Sequence, residues 1–429
     1  MLKRSGMLAI ALVLLAPAGV GQPLGPPTEA ALPGPMPTTA PVVLGARIGD
    51  QEDRTRFVIE VSDLLNIRVF TLASPNRVVI DMPEVLWRLQ APERPTGTGA
   101  VRAYRYGLFR PGESRFVIDL NRPVVAAEPL VLQPESGHGY RIVIDLFPAS
   151  QAKFDAGAGW PDDLRAKEMA TERMAAANVA PPVSTTPPLK PIRSRVVVID
   201  AGHGGIDSGT VGVDGLLEKN VVLDEALRLK KALQKRGYVV HLTRESDIYI
   251  PLRERVNIAR GYQADLLISL HADSNPDTNV SGASVYTLSE SGSDREAAAL
   301  ARKENQSDII AGVDLSGENS PVASILIDLA QRDTINKSVR FAEEVVGTLR
   351  HGTDVLQREP HRSAGFVVLK APDVPAVLIE LGYLSNAHDC AQMGTSQWRE
   401  GTADAIASAV DRNFGLTTET SPLAAETAE

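Results

Sequence analysis

Apolar and polar positions divide this chain into two patterned regions separated and flanked by unpatterned ones. From Val42 to Pro148, short phrases mix apolar and polar residues in partial alternation. Arg56–Glu60 reads RFVIE and is echoed by RFVID at Arg115–Asp119. Arg77–Asp81 reads RVVID and is echoed by RIVID at Arg141–Asp145. A pair of hairpin-like units used twice predicts a small all-β domain with internal pseudo-symmetry. The partial alternation predicts one packed face and one solvated face.

From Arg195 to Phe414 the pattern changes. Strand-like runs at Arg195–Asp200, Tyr238–Thr243, Asp265–Leu270, Ala283–Leu288, Phe366–Leu369 and Ala376–Leu381 alternate with helical ones. The helical runs are Glu218–Arg236, Pro251–Gly261, Asp294–Ala311, Val322–Arg350 and Trp398–Phe414. Such alternation predicts an α/β domain, a largely parallel mixed sheet flanked by helices. Ligands in these folds collect at the carboxyl ends of the strands.

The remaining segments bound the domains. Lys3 and Arg4 precede the apolar run Met7–Leu15, and Ala16-Pro17-Ala18 follows. A charged head, a short apolar core and a small-residue exit predict a signal peptide over 1–21, read by the general export route. The run is too short to anchor a membrane span. A disordered spacer (22–41), the β domain (42–148), a linker (149–194), the α/β domain (195–415) and a disordered tail (416–429) complete the expected order. Within the linker, Pro161–Ala177 has helical composition, and the prolines from Pro181 to Pro191 favour extended chain. With 429 residues and a net charge of −9, the chain is long enough for two cores and too acidic for nucleic acid to be a default partner. Cys390 is its single cysteine, so no intrachain disulfide forms.

Candidate chemistry lies where the fold rule points. His203 follows the strand ending at Asp200, His271 follows Leu270, and Glu380 closes an apolar strand. The buried stripe Val222, Ala226, Leu229, Leu233, extended back one turn, lands on Glu218. A carboxylate aimed into a core needs a partner, and a cation would supply one. Two histidines and a glutamate form a three-ligand zinc set with one position left for water. Glu380 is then the candidate general base and acid. Blander readings stand beside this. A histidine after a strand is commonly a satisfied loop residue, and Glu380 could instead answer Arg244 in LTRESD.

Four stretches, VVVIDAGHGGIDSG, GLLEKN, DLLISLHADS and PAVLIELGYLSN, together resemble the zinc-dependent N-acetylmuramoyl-L-alanine amidases of bacterial cell-wall remodelling, in family order. The β region resembles the AMIN domain. The resemblance implies zinc ligands at His203, Glu218 and His271, one zinc per chain, and Glu380 as catalytic acid/base. It implies hydrolysis of the amide between N-acetylmuramic acid and L-alanine, peptidoglycan as substrate and partner, and a periplasmic enzyme of daughter-cell separation. One position departs: Asp273 stands where many members carry Asn.

The segment from about 289 to 350 is long for a connection. Ser293 to Glu296 fits a capping box, with Ser293 as N-cap. The following stripe places Glu304 and Asp308 among alanines and leucine, which by pattern alone is a solvated face. The resemblance implies instead a self-blocking helix, with Glu304 as first and Asp308 as second candidate to fill the open metal position. It also implies an activator with a degenerate LytM-type domain. The rival functions are a non-catalytic wall-binding protein and another zinc amide hydrolase, a carboxypeptidase or deacetylase. His361 and Arg362 are further candidates to line the cleft.

Overall fold

The computed structural model describes residues 40–89, 97–110, 112–135, 137–166, 194–313 and 326–415, with side chains left undescribed at 326–332. The expected signal peptide, nearly all of the spacer, the proline-rich half of the linker and the tail lie outside the described residues. Among the described residues, no helix is long and apolar enough to cross a membrane.

The first domain is all β. Its strands are β1 (Val42–Asp50), β2 (Thr55–Val61), β3 (Arg68–Leu72), β4 (Arg77–Pro83), β5 (Leu86–Trp87), β6 (Val101–Arg110), β7 (Glu113–Leu120), β8 (Val124–Ala126), β9 (Leu130–Leu132) and β10 (Tyr140–Pro148). One sheet runs β5-β1-β2-β10-β8, with β9 also on β10; the other runs β3-β4-β7-β6. The repeated phrases explain this layout. β2 pairs antiparallel with β10, and β4 with β7, so each half of the repeat gives one strand to each sheet. The arginine that opens one phrase then meets the acid that closes its partner. Arg56 and Asp145 form a bidentate pair at 2.7 and 2.8 Å, and Arg115 and Asp81 do so at 2.5 and 2.8 Å. Phe57, Ile59, Ile80, Phe116, Ile118 and Ile144 fill the space between the sheets.

The expectation of one solvated face fails for the four-stranded sheet. Val78, Val79 and Ile80 on β4 are all fully buried. The second face of the sheet is covered by Ile206, Tyr249, Ala311 and Val313 of the α/β domain. Part of the expected linker is also folded. Helix α1 (Gln151–Gly157), capped by Ser150, seats Phe154 in the β-domain core.

The second domain carries β11 (Val196–Ala201), α2 (Glu218–Lys235), β12 (Val239–Leu242), α3 (Leu252–Gly261), β13 (Leu266–His271) and β14 (Ser284–Leu288). Then come α4 (Arg295–Glu304), α5 (Ser307–Ile310), α6 (Leu326–Leu349), β15 (His361–Ala364), β16 (Ala376–Glu380), α7 (Ala387–Met393) and α8 (Ser396–Asn413). The sheet order is β12-β11-β13-β16-β14-β15. β12, β11, β13 and β16 are parallel, and β14 turns antiparallel to β16 with β15 parallel to β14. The sheet is therefore mixed and largely parallel, as the alternation predicts. Residues of α2, α6 and α8 cover one face, and residues of α3 and α4 cover the other.

Three local expectations change. Phe366–Leu369 is not a strand: Val367–Leu369 is one 3-10 turn, and the strand lies earlier at β15. The expected helix Asp294–Ala311 is broken between Glu304 and Ser307. There the Asn305 side chain donates to Gly365 O and accepts from Val367 N, tying the chain to the neighbouring connection. The far end of the expected insertion is scaffold, since Phe341, Ala342, Val345 and Leu349 of α6 are core residues.

Candidate metal centre

Three strand ends and one helix start bring the candidate residues to the carboxyl edge of the sheet. His203 lies two residues past β11, while His271 and Glu380 end β13 and β16 and are register partners. Glu218 is the first residue of α2 and is fully buried. The approach is tight enough to require glycine. A Cβ on Gly202 would lie 2.5 Å from the His271 ring, and one on Gly209, at φ +63°, would lie 2.6 Å from Glu218 Oε2.

His203 Nε2 and His271 Nδ1 face one point. Glu218 Oε1 lies 3.1 Å from the first and 3.3 Å from the second. Glu304 Oε2, from the end of α4, lies 3.3 and 3.1 Å from the same two nitrogens. A first-row metal ion with bonds of about 2.0 Å holds tetrahedral donors about 3.3 Å apart. His203 Nε2, His271 Nδ1 and both Glu304 oxygens are buried with no hydrogen-bond partner. Such orphaned atoms need an explanation, and a cation between them provides one. His203, His271 and Glu304 form a buried group that could hold a metal ion. Glu218 meets both imidazoles at the same distances.

The surrounding contacts orient these donors. His203 Nδ1 donates to Asp207 Oδ2 at 2.9 Å, which leaves Nε2 as the free donor atom. Glu218 accepts from Ala272 N at 2.9 Å and from Thr210 N at 2.8 Å. Arg255 pairs with Asp200 at 2.8 Å and donates to His203 O at 2.9 Å, which fixes the loop. Ser269 donates to the same Asp200 at 2.7 Å.

Electrostatics point the same way. Burial opposes charge on His203, but Glu218, Asp207 and Glu304 outweigh it and raise its pKa well above the usual value. Burial also opposes charge on His271, which Glu304 and Glu218 nevertheless push up to about 10. Glu304 is lowered to about 2 because the two imidazoles overcome its burial. The nest favours positive charge, which is what a divalent cation brings. Glu380 differs. Burial, reinforced by Glu218 and Glu304, pushes it up to about 8 against the pull of His271. Its Oε2 accepts from Asp273 N at 2.9 Å, and its Oε1 has no partner.

Other sequence candidates sort clearly. Arg244 does not answer Glu380; it donates to Ala201 O, Gly202 O and Lys219 O. Asp308 does not face the metal centre, because it accepts from Tyr249 Oη at 2.6 Å and Leu252 N at 2.9 Å. Asp294, not Ser293, caps α4 and accepts from Ala297 N. Arg362 lines the cleft beside the site, and His361 contacts Thr287. Asp207 and Lys303, which contacts Asp273, were not anticipated. Asp207 carries a signal, being an acid four residues after His203 in the same glycine-rich loop.

An α/β domain that gathers two histidines, buried carboxylates and a glutamate with one unpartnered oxygen at its carboxyl edge defines a metal-dependent hydrolase. Residues 197–412 match the N-acetylmuramoyl-L-alanine amidase family Amidase_3, and residues 45–146 match the AMIN domain. AmiC of Escherichia coli O6:H1 (strain CFT073), an N-acetylmuramoyl-L-alanine amidase, is 34% identical over 87% of this chain and 89% of its own. AmiC of Neisseria meningitidis serogroup B is 33% identical over 87% and 90%. AmiA of Escherichia coli K12 is 39% identical over 51% of this chain and 76% of its own. The chain belongs to the N-acetylmuramoyl-L-alanine amidase family, and is a peptidoglycan hydrolase with an N-terminal AMIN domain.

Proposed function

We propose that the chain is a zinc amidase of the periplasm, held at rest by Glu304 and released by a protein partner during daughter-cell separation. His203, Glu218 and His271 are the resident ligands in this reading, a nitrogen and carboxylate set that suits zinc. Zinc bound there supplies Lewis acidity, polarising a carbonyl and acidifying a water. Glu380 Oε1 takes a proton from the attacking water as the water oxygen bonds to the amide carbon. The carbon–nitrogen bond breaks, and the same carboxyl returns the proton to the departing L-alanine amine. Burial of Glu380 keeps its proton affinity near the range this exchange needs.

The regulatory part rests on one observation: Glu304 Oε2 stands as close to both imidazole nitrogens as Glu218 Oε1 does. A fourth ligand there would take the place of water and substrate. Release needs a partner that binds the withdrawn state of α4 better than the seated one. The family resemblance points to an activator with a degenerate LytM-type domain, and the AMIN match points to a β domain that binds peptidoglycan. Zinc content by elemental analysis, with dye release from labelled sacculi by wild type and Glu304→Ala, tests the reading. Zinc near one per chain and raised basal release support it. No zinc, or equal basal release, overturns the corresponding half.

A further inference from the structure

A cleft of about 750 Å3 opens beside the metal centre. One wall is scaffold, with Tyr286, Arg362 and Tyr383; the other is α4, with Glu296, Leu300 and Lys303. Arg362 lies on β15 with its side chain 12% exposed. Its Nη1 donates to Glu296 Oε2 at 3.0 Å, and its Nε lies 3.7 Å from Asp294 Oδ2. Among the described residues, both carboxylates that meet it belong to α4 or its cap. Withdrawal of α4 would therefore strip Arg362 of its counter-charge in a half-buried cleft.

Glu296 and Glu304 are eight residues apart on one helix, a rise of about 12 Å. The seated helix thus offers one carboxylate to the metal centre and another to an arginine farther along the cleft. An extended peptide covers about 12 Å in three to four residues. We infer that Arg362 anchors a free carboxylate of the stem peptide about that far from the scissile amide, and that Glu296 occupies this anchor at rest. The inference rests on the reading of α4 as the covering helix. The carboxylate is either the peptide's C-terminus or an acidic side chain.

Equilibrium binding of synthetic N-acetylmuramoyl peptides to the zinc-loaded full chain tests it. The background is Glu296→Gln with Glu304→Gln, which removes both helix carboxylates, and Glu380→Gln, which stops turnover during the binding measurement. Three peptides are compared: free acid, C-terminal amide and side-chain amide. One amidation is expected to weaken binding about 10- to 150-fold, the loss of a charge-assisted hydrogen bond; which one does so identifies the source. Arg362→Gln should weaken the free acid equally and erase the discrimination, while Arg362→Lys keeps part of it with zinc content unchanged. No binding, or discrimination that survives Arg362→Gln, overturns the anchor. Cleavage by the Glu296→Gln, Glu304→Gln chain with Glu380 intact reports on the hydrolase separately: peptides held through Arg362 yet never cleaved would sink the hydrolase and leave the anchor standing.

A different observation carries a second proposal. The outer face of the β3-β4-β7-β6 sheet holds the chain just beyond Glu304. Arg77 Nη1 donates to Ile309 O at 2.6 Å, and Arg115 Nη1 donates to Ala311 O at 3.1 Å and Gly312 O at 3.0 Å. Arg105 donates to Ile310 O as well. Phe109 stacks on Tyr249, whose hydroxyl holds Asp308, and Ser307 Oγ donates to Asp207, the partner of His203. We propose that the β domain is the clamp that keeps the covering segment seated. Hydrogen exchange on the full chain tests this with Arg77→Ala and Arg105→Ala, which spare the buried Arg115–Asp81 pair. Exchange of amides in 301–312 should quicken at least about tenfold, with β11 and β13 unchanged. Equal protection of 301–312 overturns the clamp.

Discussion

The metal centre has two walls made in different ways. His203, Glu218, His271 and Glu380 stand at strand ends or a helix start, backed by fully buried residues such as Ile199, Leu270, Val222 and Ile379. Glu304 arrives from the last turn of α4, a ten-residue helix that buries only Ala297, Ala301 and Glu304 itself. Its neighbour Lys303 is 47% exposed on the side chain where it meets Asp273. The same carboxyl chemistry faces the same imidazoles from both sides, yet one side stands on the interior of the sheet and the other on a helix that gives the core two alanines. Firm support suits chemistry that must be pre-organised; light support suits a group that has to leave.

Perturbing each wall separates them. Removing metal with a chelator should take dye release to background, with recovery on adding zinc back, and His203→Ala should reproduce the loss without recovery. Glu380→Gln should lower turnover by about 10^2- to 10^4-fold while elemental analysis finds zinc unchanged. The proposed withdrawal of α4 predicts a gain. Glu304→Ala should raise basal turnover about 5- to 150-fold, the range of a typical coupling free energy. Lys303→Ala removes the pair between half-exposed Lys303 and buried Asp273 but leaves Glu304 on the imidazoles, so a basal rise smaller than that of Glu304→Ala is expected. A Lys303→Ala effect as large as that of Glu304→Ala would mean that the seat depends on the Lys303–Asp273 pair and not on the contact of Glu304 with the imidazoles.

The two walls also differed in how far the sequence revealed them. Buried parallel strands are continuous apolar runs, so Val196–Ala201 and Leu266–His271 stand out, and polar residues at their ends are conspicuous. The edge strand β15 reads HRSA and carries no such run, whereas Phe366–Leu369 does and folds as a 3-10 turn. Apolar content reported burial there, and the backbone state was set by neighbours. Glu304 lay on a stripe that pattern alone assigns to solvent; only the family resemblance singled it out. Asp207 was legible in principle, as an acid four residues after His203; the Arg255–Asp200 pair joins residues 55 apart in sequence, which no spacing rule exposes.

The exchange of strands between the repeat halves bears on folding order. β2 must wait for β10, 89 residues later at the Arg56–Asp145 pair, and β4 must wait for β7. Neither sheet can close on the first half of the domain alone. Pairings this distant in sequence slow folding, and they make the β domain a unit that forms as a whole once residue 148 is available. Loss of the strands of either repeat half therefore costs both sheets together, including the one that holds residues 309–312.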